Sequence, residues 1–313
     1  MSAGPVAWRE QAALEVYRLG WALVRRLPER PAYRLFDLVA DVAWWRAGPG
    51  VRRLEANLRR VRPQLDRSGL RGLSRAGMRS YLRYWCDTFR LPDWDERRIT
   101  GTVRAVGEGP VRATLDGGRG VVMFLGHLGN WDHAGAWSTL RLAPVTTVAE
   151  RLRPVQLFDE FVRFREHLGM TIVPLGGADV FRRLMSTLRD GGFVPLLADR
   201  DLTDGGVEVD FFGEPARMAV GPAALALQTR AALHPVSIHN ERRPGGGWGI
   251  VVTWHDEVPV PDGVSRGAAG TRAAVAAMTQ ACADVLAGAI DEHPQDWHML
   301  QKVFSADLAA GAR

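Results

Sequence analysis

The chain has 313 residues, 46% of them apolar and 24% charged, which excludes a disordered chain and allows one large α/β domain or two ordinary ones. The net charge is +5 with a pI near 9.8, and Lys302 is the only lysine, so almost all the positive charge is arginine. Arginine suits phosphate and carboxylate, so the composition admits an anionic partner without requiring one.

Residues 1–100 read as an all-helical, amphipathic region. Leu14, Tyr17, Trp21 and Val24 recur at three- and four-residue steps until Pro28 and Pro31 break the pattern. Leu35, Leu38, Val39, Val42 and Trp45 form a second stripe, ended by "GPG" at 48–50. Leu54, Leu58 and Val61 start a third, and Tyr81, Leu82, Trp85 and Phe89 mark a fourth that "LPDWD" stops. Tryptophans at 8, 21, 44, 45, 85 and 94 alternate with arginines, a pattern that suits a membrane interface as well as a packed core. No uninterrupted apolar run reaches the roughly 18–20 residues of a bilayer span, and the first residues lack the pattern of a signal peptide. The expectation is a cytoplasmic protein, or one held peripherally on the membrane from that side.

From residue 101 to 313 the pattern becomes α/β, and the two regions are expected to form one compact unit. Strands are expected at 103–106, 120–125, 146–149, 172–175, 193–198, 207–212, 233–239 and 249–254. Helices fall between them at about 132–142, 155–168, 178–190, 219–231 and 268–290. Such alternation predicts a mostly open sheet covered by helices, with chemistry at the strand ends. Cys86 and Cys282 sit in apolar helical patterns and read as buried thiols.

The chemistry-bearing stretch is "FLGHLGNWDHAG", residues 124–135. His127 follows the strand-like run "GVVMFLG", and Asp132 falls in the first turn of the next helix, where the helix dipole favours a carboxylate. Of the eight histidines, only His127 has an acid five positions on. A carboxylate that holds one ring nitrogen protonated leaves the other free to take a proton from a hydroxyl. Gly126 and Gly129 leave room for substrate and for backbone N–H groups facing an oxyanion, with Asn130 bordering the same loop.

Other machinery fits less well. "GVSRG" at 263–267 matches G-x-S-x-G, but prolines precede Ser265 where the nucleophile elbow needs a strand. No Walker-type phosphate loop is present, and His293 and His298 flank "PQDW" without metal-ligand spacing, reading as structural. No metal, resident cofactor or nucleic-acid partner is expected.

These residues resemble the bacterial lysophospholipid-acyltransferase-like superfamily, in the branch of the lipid A and phosphatidylinositol mannoside acyltransferases. The resemblance spans nearly the whole chain. It rests on "GHLGNWD" for the H-x4-D/E motif, on 146–170, on "LLADRDLTDGGVEVDFFGEPARMAVGPAALA" at 196–226 and on "HPQDWHML" at 293–300. The terminal aspartate of the motif, "AERLRP" and "DWHML" look more like the mannoside side. The resemblance implies transfer of a fatty acyl group, palmitoyl in the mannoside branch, from acyl-CoA to a mannose hydroxyl of phosphatidylinositol mannoside. It implies His127 as base with Asp132 as its acid, on the cytoplasmic face of the membrane. Acyl-CoA, the glycolipid and an anionic membrane surface are the expected partners. A lipid A-type acceptor is the nearest alternative; a non-catalytic peripheral membrane protein and a Ser265 hydrolase are the rivals from other classes.

Further polar residues are candidates for this site. Glu150 at a strand end and Arg165 on the following helix fall in the second matching block, and they either pair with each other or bind sugar and carbonyl. Asp199, Arg200 and Asp201 end another strand; alternation puts Asp199 and Asp201 on one side, to contact the sugar or support His127. Glu208 is a weaker acid candidate, and Arg230 a candidate contact for CoA phosphate.

Overall fold

The computed structural model describes residues 20–151, 155–177, 179–201, 205–244, 246–263 and 267–309. Leu14, Tyr17, Trp8 and Ser265 lie outside these residues.

The N-terminal third is helical, as its periodicity predicts. A helical turn at 20–26 leads to α1 (Glu29–Arg46), α2 (Pro49–Val61) and α3 (Arg67–Arg90). Local chemistry sets the starts: Gly48-Pro49 opens α2, with proline at its first position, and Asp66 caps α3 by accepting from Gly69 N at 2.7 Å. A short α4 (Glu96–Gly101), capped by Asp95, follows directly.

The α/β part contains β1 (Val103–Val106), α5 (Glu108–Asp116), β2 (Val121–Leu125), α6 (Trp131–Arg141) and β3 (Thr146–Ala149). It continues with α7 (Val155–His167), β4 (Thr171–Pro174), α8 (Val180–Arg189) and β5 (Phe193–Leu197). The hairpin β6 (Val207–Phe211) and β7 (Glu214–Met218) comes next, then α9 (Gly221–Thr229), β8 (Ala232–Arg242), β9 (Trp248–Trp254), α10 (Ala268–Glu292) and α11 (Ser305–Ala309). Among these, α4, α5, β7 and α11 lie outside the predicted pattern. They are short elements, of at most nine residues, with too few turns to show a period.

The main sheet has the order β1-β9-β8-β2-β5 and is parallel except where β8 and β9 pair. The strands β3 and β4 form a separate parallel pair beside it, linked by a bridge from Val145 to Phe193. The hairpin β6–β7 stands apart from the sheet.

Strand β2 is buried along its whole length, so its side chains feed a core on each face. Val122 and Phe124 enter the core with α10, which contributes Met278, Cys282, Leu286 and Ile290. Val121, Met123 and Leu125 face the other core, with Trp137, Phe161, Phe164 and Met170. Helix α10 has the length and composition of a membrane span, at mean hydropathy 1.5, yet it lies within the first core. Both cysteines are free and buried.

The helical third is not a loose appendage. Helix α3 crosses the second face, where Tyr84 bonds Asp132 and Ser80 bonds Asp296. Trp21 packs on Phe89, Phe161 and Phe164, and Trp44 lies under the Arg71 guanidinium. Its neighbour Trp45 points outward at 74% exposure.

Candidate active site

His127 stands where the strand-end rule puts chemistry. Register pairs Leu125 with Leu197 on the parallel neighbour, so His127 and Asp199 each lie two residues beyond that pair. The ring Nδ1 is 2.6 Å from Asp199 Oδ1, and the His127 backbone N–H donates to Asp199 Oδ2 at 2.9 Å. Trp297 Nε1 donates to the same Oδ2 at 3.0 Å. Burial alone pushes the Asp199 carboxyl up. The His127 ring beside it and the donors from His127 N and Trp297 outweigh that and hold it below the usual range. Asp199 thereby fixes the proton on Nδ1 and leaves Nε2 free as a base.

Asp132, the acid expected to orient His127, is engaged elsewhere. Its Oδ1 accepts from Arg165 Nε at 2.7 Å and its Oδ2 from Tyr84 OH at 2.8 Å. The cause is helical geometry: Asp132 belongs to the first turn of α6, facing α7 and α3, whereas Asp199 follows the strand that flanks His127. Burial opposes charge on Arg165, but Asp132 outweighs it and holds the guanidinium more firmly protonated. Burial, then the Asp132 charge, pushes the Tyr84 phenol up.

The loop glycines were expected to free backbone N–H groups for an oxyanion. The structure uses those groups internally: His127 N bonds Asp199, Leu128 N bonds Gly126 O and Gly129 N bonds Asp296 O. Gly129 has φ +56, and a Cβ there would come within 2.8 Å of Ile238 O, so it answers a close approach of chains. Asn130 is fully buried and caps α6 by accepting from His133 N at 3.0 Å. Both serve the loop's shape rather than a substrate.

A cavity of about 740 Å³ opens beside His127 on the Met123–Leu125 face of the sheet. It runs from Leu125 and Leu197 at the histidine end to Phe193 and Met170. Leu197 to Phe193 is four residues of extended strand, about 13 Å. Its walls are mainly apolar, with Arg165 and Asp132 at one side and Glu150, Arg200 and Asp201 near the rim. Glu150 pairs with Arg200 at 3.4 Å, not with Arg165.

Two other candidates lie away from it. Glu208 is exposed on the β6 hairpin and accepts from Ser305. Arg230 precedes β8, whose start pairs with the start of β2, so it sits at the opposite end of the sheet from His127. Conversely, Tyr84 and Trp131 line the cavity without having been singled out, and so does His298, which was read as structural. The 293–300 block carried the one signal for His298, whereas nothing in the α3 pattern distinguishes Tyr84 from a core residue.

Residues 10–306 match the model of a family described as bacterial lipid A biosynthesis acyltransferase. The chain belongs to that family. It is 43% identical over 297 residues to a phosphatidylinositol mannoside acyltransferase of Mycolicibacterium smegmatis, covering 94% of this chain and 91% of that protein. It is likewise 43% identical over 301 residues to a phosphatidylinositol mannoside acyltransferase of Mycobacterium tuberculosis, covering 95% and 90%. For a member of this acyltransferase family, the pairing of a histidine–carboxylate dyad with an apolar cavity has a direct chemical sense. A histidine held by a carboxylate is suited to take a proton from a hydroxyl, and an apolar cavity is suited to a hydrocarbon chain.

Proposed function

We propose that the protein transfers a fatty acyl group, palmitoyl in the first instance, from acyl-CoA to a mannose hydroxyl of phosphatidylinositol mannoside. The observation that carries this reading is the His127–Asp199 pair at the mouth of an apolar cavity. The acyl chain occupies the cavity, with its thioester carbonyl at the histidine end. His127 Nε2 takes the proton of the acceptor hydroxyl as its oxygen attacks that carbonyl. Arg165, on the cavity wall, faces the negative charge that develops on the carbonyl oxygen. The C–S bond then breaks, and His127 returns the proton to the CoA thiolate. Asp201 and Glu150, at the rim, are the carboxylates nearest the entering sugar. No covalent enzyme intermediate is needed.

We further propose that the protein works as a peripheral protein on the cytoplasmic membrane face. Leu35, Leu38, Val39, Val42 and Trp45 share one side of α1 and are all exposed, which supports this placement. Arg26, Arg30, Arg34 and Arg46 are exposed around them, the pattern of an interfacial helix on anionic lipid.

The deciding experiment supplies the purified protein with palmitoyl-CoA and a phosphatidylinositol mannoside preparation, and reads the product by mass spectrometry. A palmitoylated mannoside formed by wild type and not by folded His127→Ala is the expected result. An unchanged product yield in that variant overturns the mechanism. Transfer to a lipid A-type acceptor instead moves the substrate to the other branch of the family, and absence of transfer to any glycolipid leaves a lipid-binding protein.

A further inference from the structure

His298 is 5% exposed, yet it borders the cavity beside the reacting histidine. Its backbone N–H donates to His127 O at 2.8 Å, and its ring is ringed by Tyr81, Tyr84 and Trp131. Nε2 lies 2.9 Å from Ser80 Oγ, while Nδ1 is buried and has no hydrogen-bond partner.

The surroundings of Ser80 determine which nitrogen carries the proton. Asp296 is an acceptor only, so the Ser80 hydroxyl donates to Asp296 Oδ1. Asn240 Nδ2 donates both to that same Oδ1 at 2.7 Å and to Ser80 Oγ at 3.1 Å. The Asn240 backbone N–H fills Asp296 Oδ2 at 3.0 Å. Ser80 Oγ has then spent its proton and one lone pair, and what remains is an acceptor. Nε2 must donate to it. Burial, the largest effect, pushes the ring's pKa down to about 3, so it carries a single proton at neutral pH. Nδ1 is therefore a bare lone pair, buried in a ring that lines the cavity.

We propose that Ser80 and Asp296 are positioning residues that lock His298 in the Nε2–H tautomer, so that Nδ1 accepts a hydrogen bond from a hydroxyl entering the cavity beside His127. The inference rests on the reading of the cavity as an acyl-transfer site, and assigns the acceptor hydroxyl a second contact there. It also gives α3 a task in the chemistry, since Ser80 comes from that helix. An unfilled buried acceptor discriminates by hydrogen bonding: a donor hydroxyl satisfies it, and an acceptor lacking that hydroxyl does not.

Two measurements on the full chain test this separately. The first is long-range proton–nitrogen correlation on protein labelled with nitrogen-15 histidine, with His298 assigned by the signal lost in His298→Gln. A proton on Nε2 and a bare Nδ1 are expected in wild type. In Asp296→Asn the new amide can donate to Ser80, the serine proton then turns to the ring, and the Nδ1–H form should appear. A wild-type ring protonated on Nδ1, or a tautomer unmoved in both Asp296→Asn and Ser80→Ala, overturns the lock. The second is kinetic and uses His298→Gln, whose side-chain amide can still reach Ser80 but offers nothing at Nδ1. Acceptor kcat/KM should fall by about tenfold or more, while slow hydrolysis of palmitoyl-CoA stays within about threefold. Equal loss of transfer and hydrolysis, with an unchanged melting temperature, overturns the acceptor contact. A wild type that transfers to no glycolipid removes the proposed function and the contact with it, while the tautomer result stands on its own.

Discussion

Arg165 Nε lies 2.7 Å from Asp132 Oδ1, so the acid of the H-x4-D spacing holds a guanidinium and not the histidine. The two carboxylates near His127 therefore have separable tasks. In the proposed mechanism Asp199 orients the base, and Asp132 positions a cation on the cavity wall. Asp199→Asn is expected to lower kcat for transfer by about 10²–10⁴-fold, because the ring loses its tautomeric hold. Asp132→Asn should act through Arg165 and cost less. Rates for the two variants and for the double variant check this: the losses should multiply if the tasks are separate.

Arg165 offers a direct test of charge at the reacting carbonyl. Arg165→Met should depress both transfer and acyl-CoA hydrolysis by about 10²–10³-fold, since both pass through an oxyanion. It also strands the buried Asp132 charge, so thermal stability should drop. Arg165→Met combined with Asp132→Asn should recover stability and not activity. Recovery of both would return the pair to a purely structural role.

The exposed face of α1 predicts a binding defect without a folding defect. Leu38 is 61% exposed and Trp45 74%, so neither contributes much to the core. Leu38→Ser with Trp45→Ser should weaken sedimentation with anionic vesicles severalfold and leave stability within about 0.5 kcal/mol. Unchanged vesicle binding would place the membrane contact elsewhere on the molecule.

Acid sensitivity follows from three buried groups. Burial pushes His133 down to about 4 and His298 to about 3, so both rings stay neutral in the fold. In the unfolded chain each takes up a proton near pH 6.5. Unfolding thus binds protons as pH drops from about 6.5 to 4, and stability falls, by up to about 1.4 kcal/mol per pH unit for each ring. Asp87 works the other way: burial raises its carboxyl to about 6, so between about pH 4 and 6 unfolding releases its proton. His133→Gln should flatten the acid limb of a stability–pH curve. Asp87→Asn, which keeps an acceptor for Tyr33, should steepen that limb and add about 1–3 kcal/mol at neutral pH. Denaturant titrations at pH 5 and pH 7 read both signs.

The alternation of strands and helices after residue 101 was legible because buried strands and amphipathic helices leave different periods in the residues themselves. His127 was legible for the same reason, since it follows an apolar run and precedes a capped helix. Its partner was legible only as one of several: strand alternation put Asp199 and Asp201 on one side, to contact the sugar or support His127, beside an Asp132 that took the first place. Asp199 is 72 residues away, and only the pairing of β2 with β5 in register brings the two together. A spacing of five residues was visible and misleading, because it says nothing about which way the first turn of α6 faces. Glu208 and Arg230 fared similarly: one lies in a matching block and the other just past it, but strand direction carries them away from the cavity. The oxyanion role of the loop failed because backbone donors have no signature in side-chain identity. The helical third showed its stripes but not their facing, so Trp44 and Trp45, adjacent in the chain, differ completely in environment.

The loop at 126–130 is supported from a distant stretch of chain: Asp296 O receives Gly129 N, His298 N donates to His127 O, and Trp297 holds Asp199. During synthesis these partners emerge some 170 residues after the loop they support. A nascent chain that already carries the N-terminal helices and the nine strands of the described residues still lacks the struts of the His127 loop. His127 therefore cannot be held in its place in the fold before residue 298 has cleared the exit tunnel.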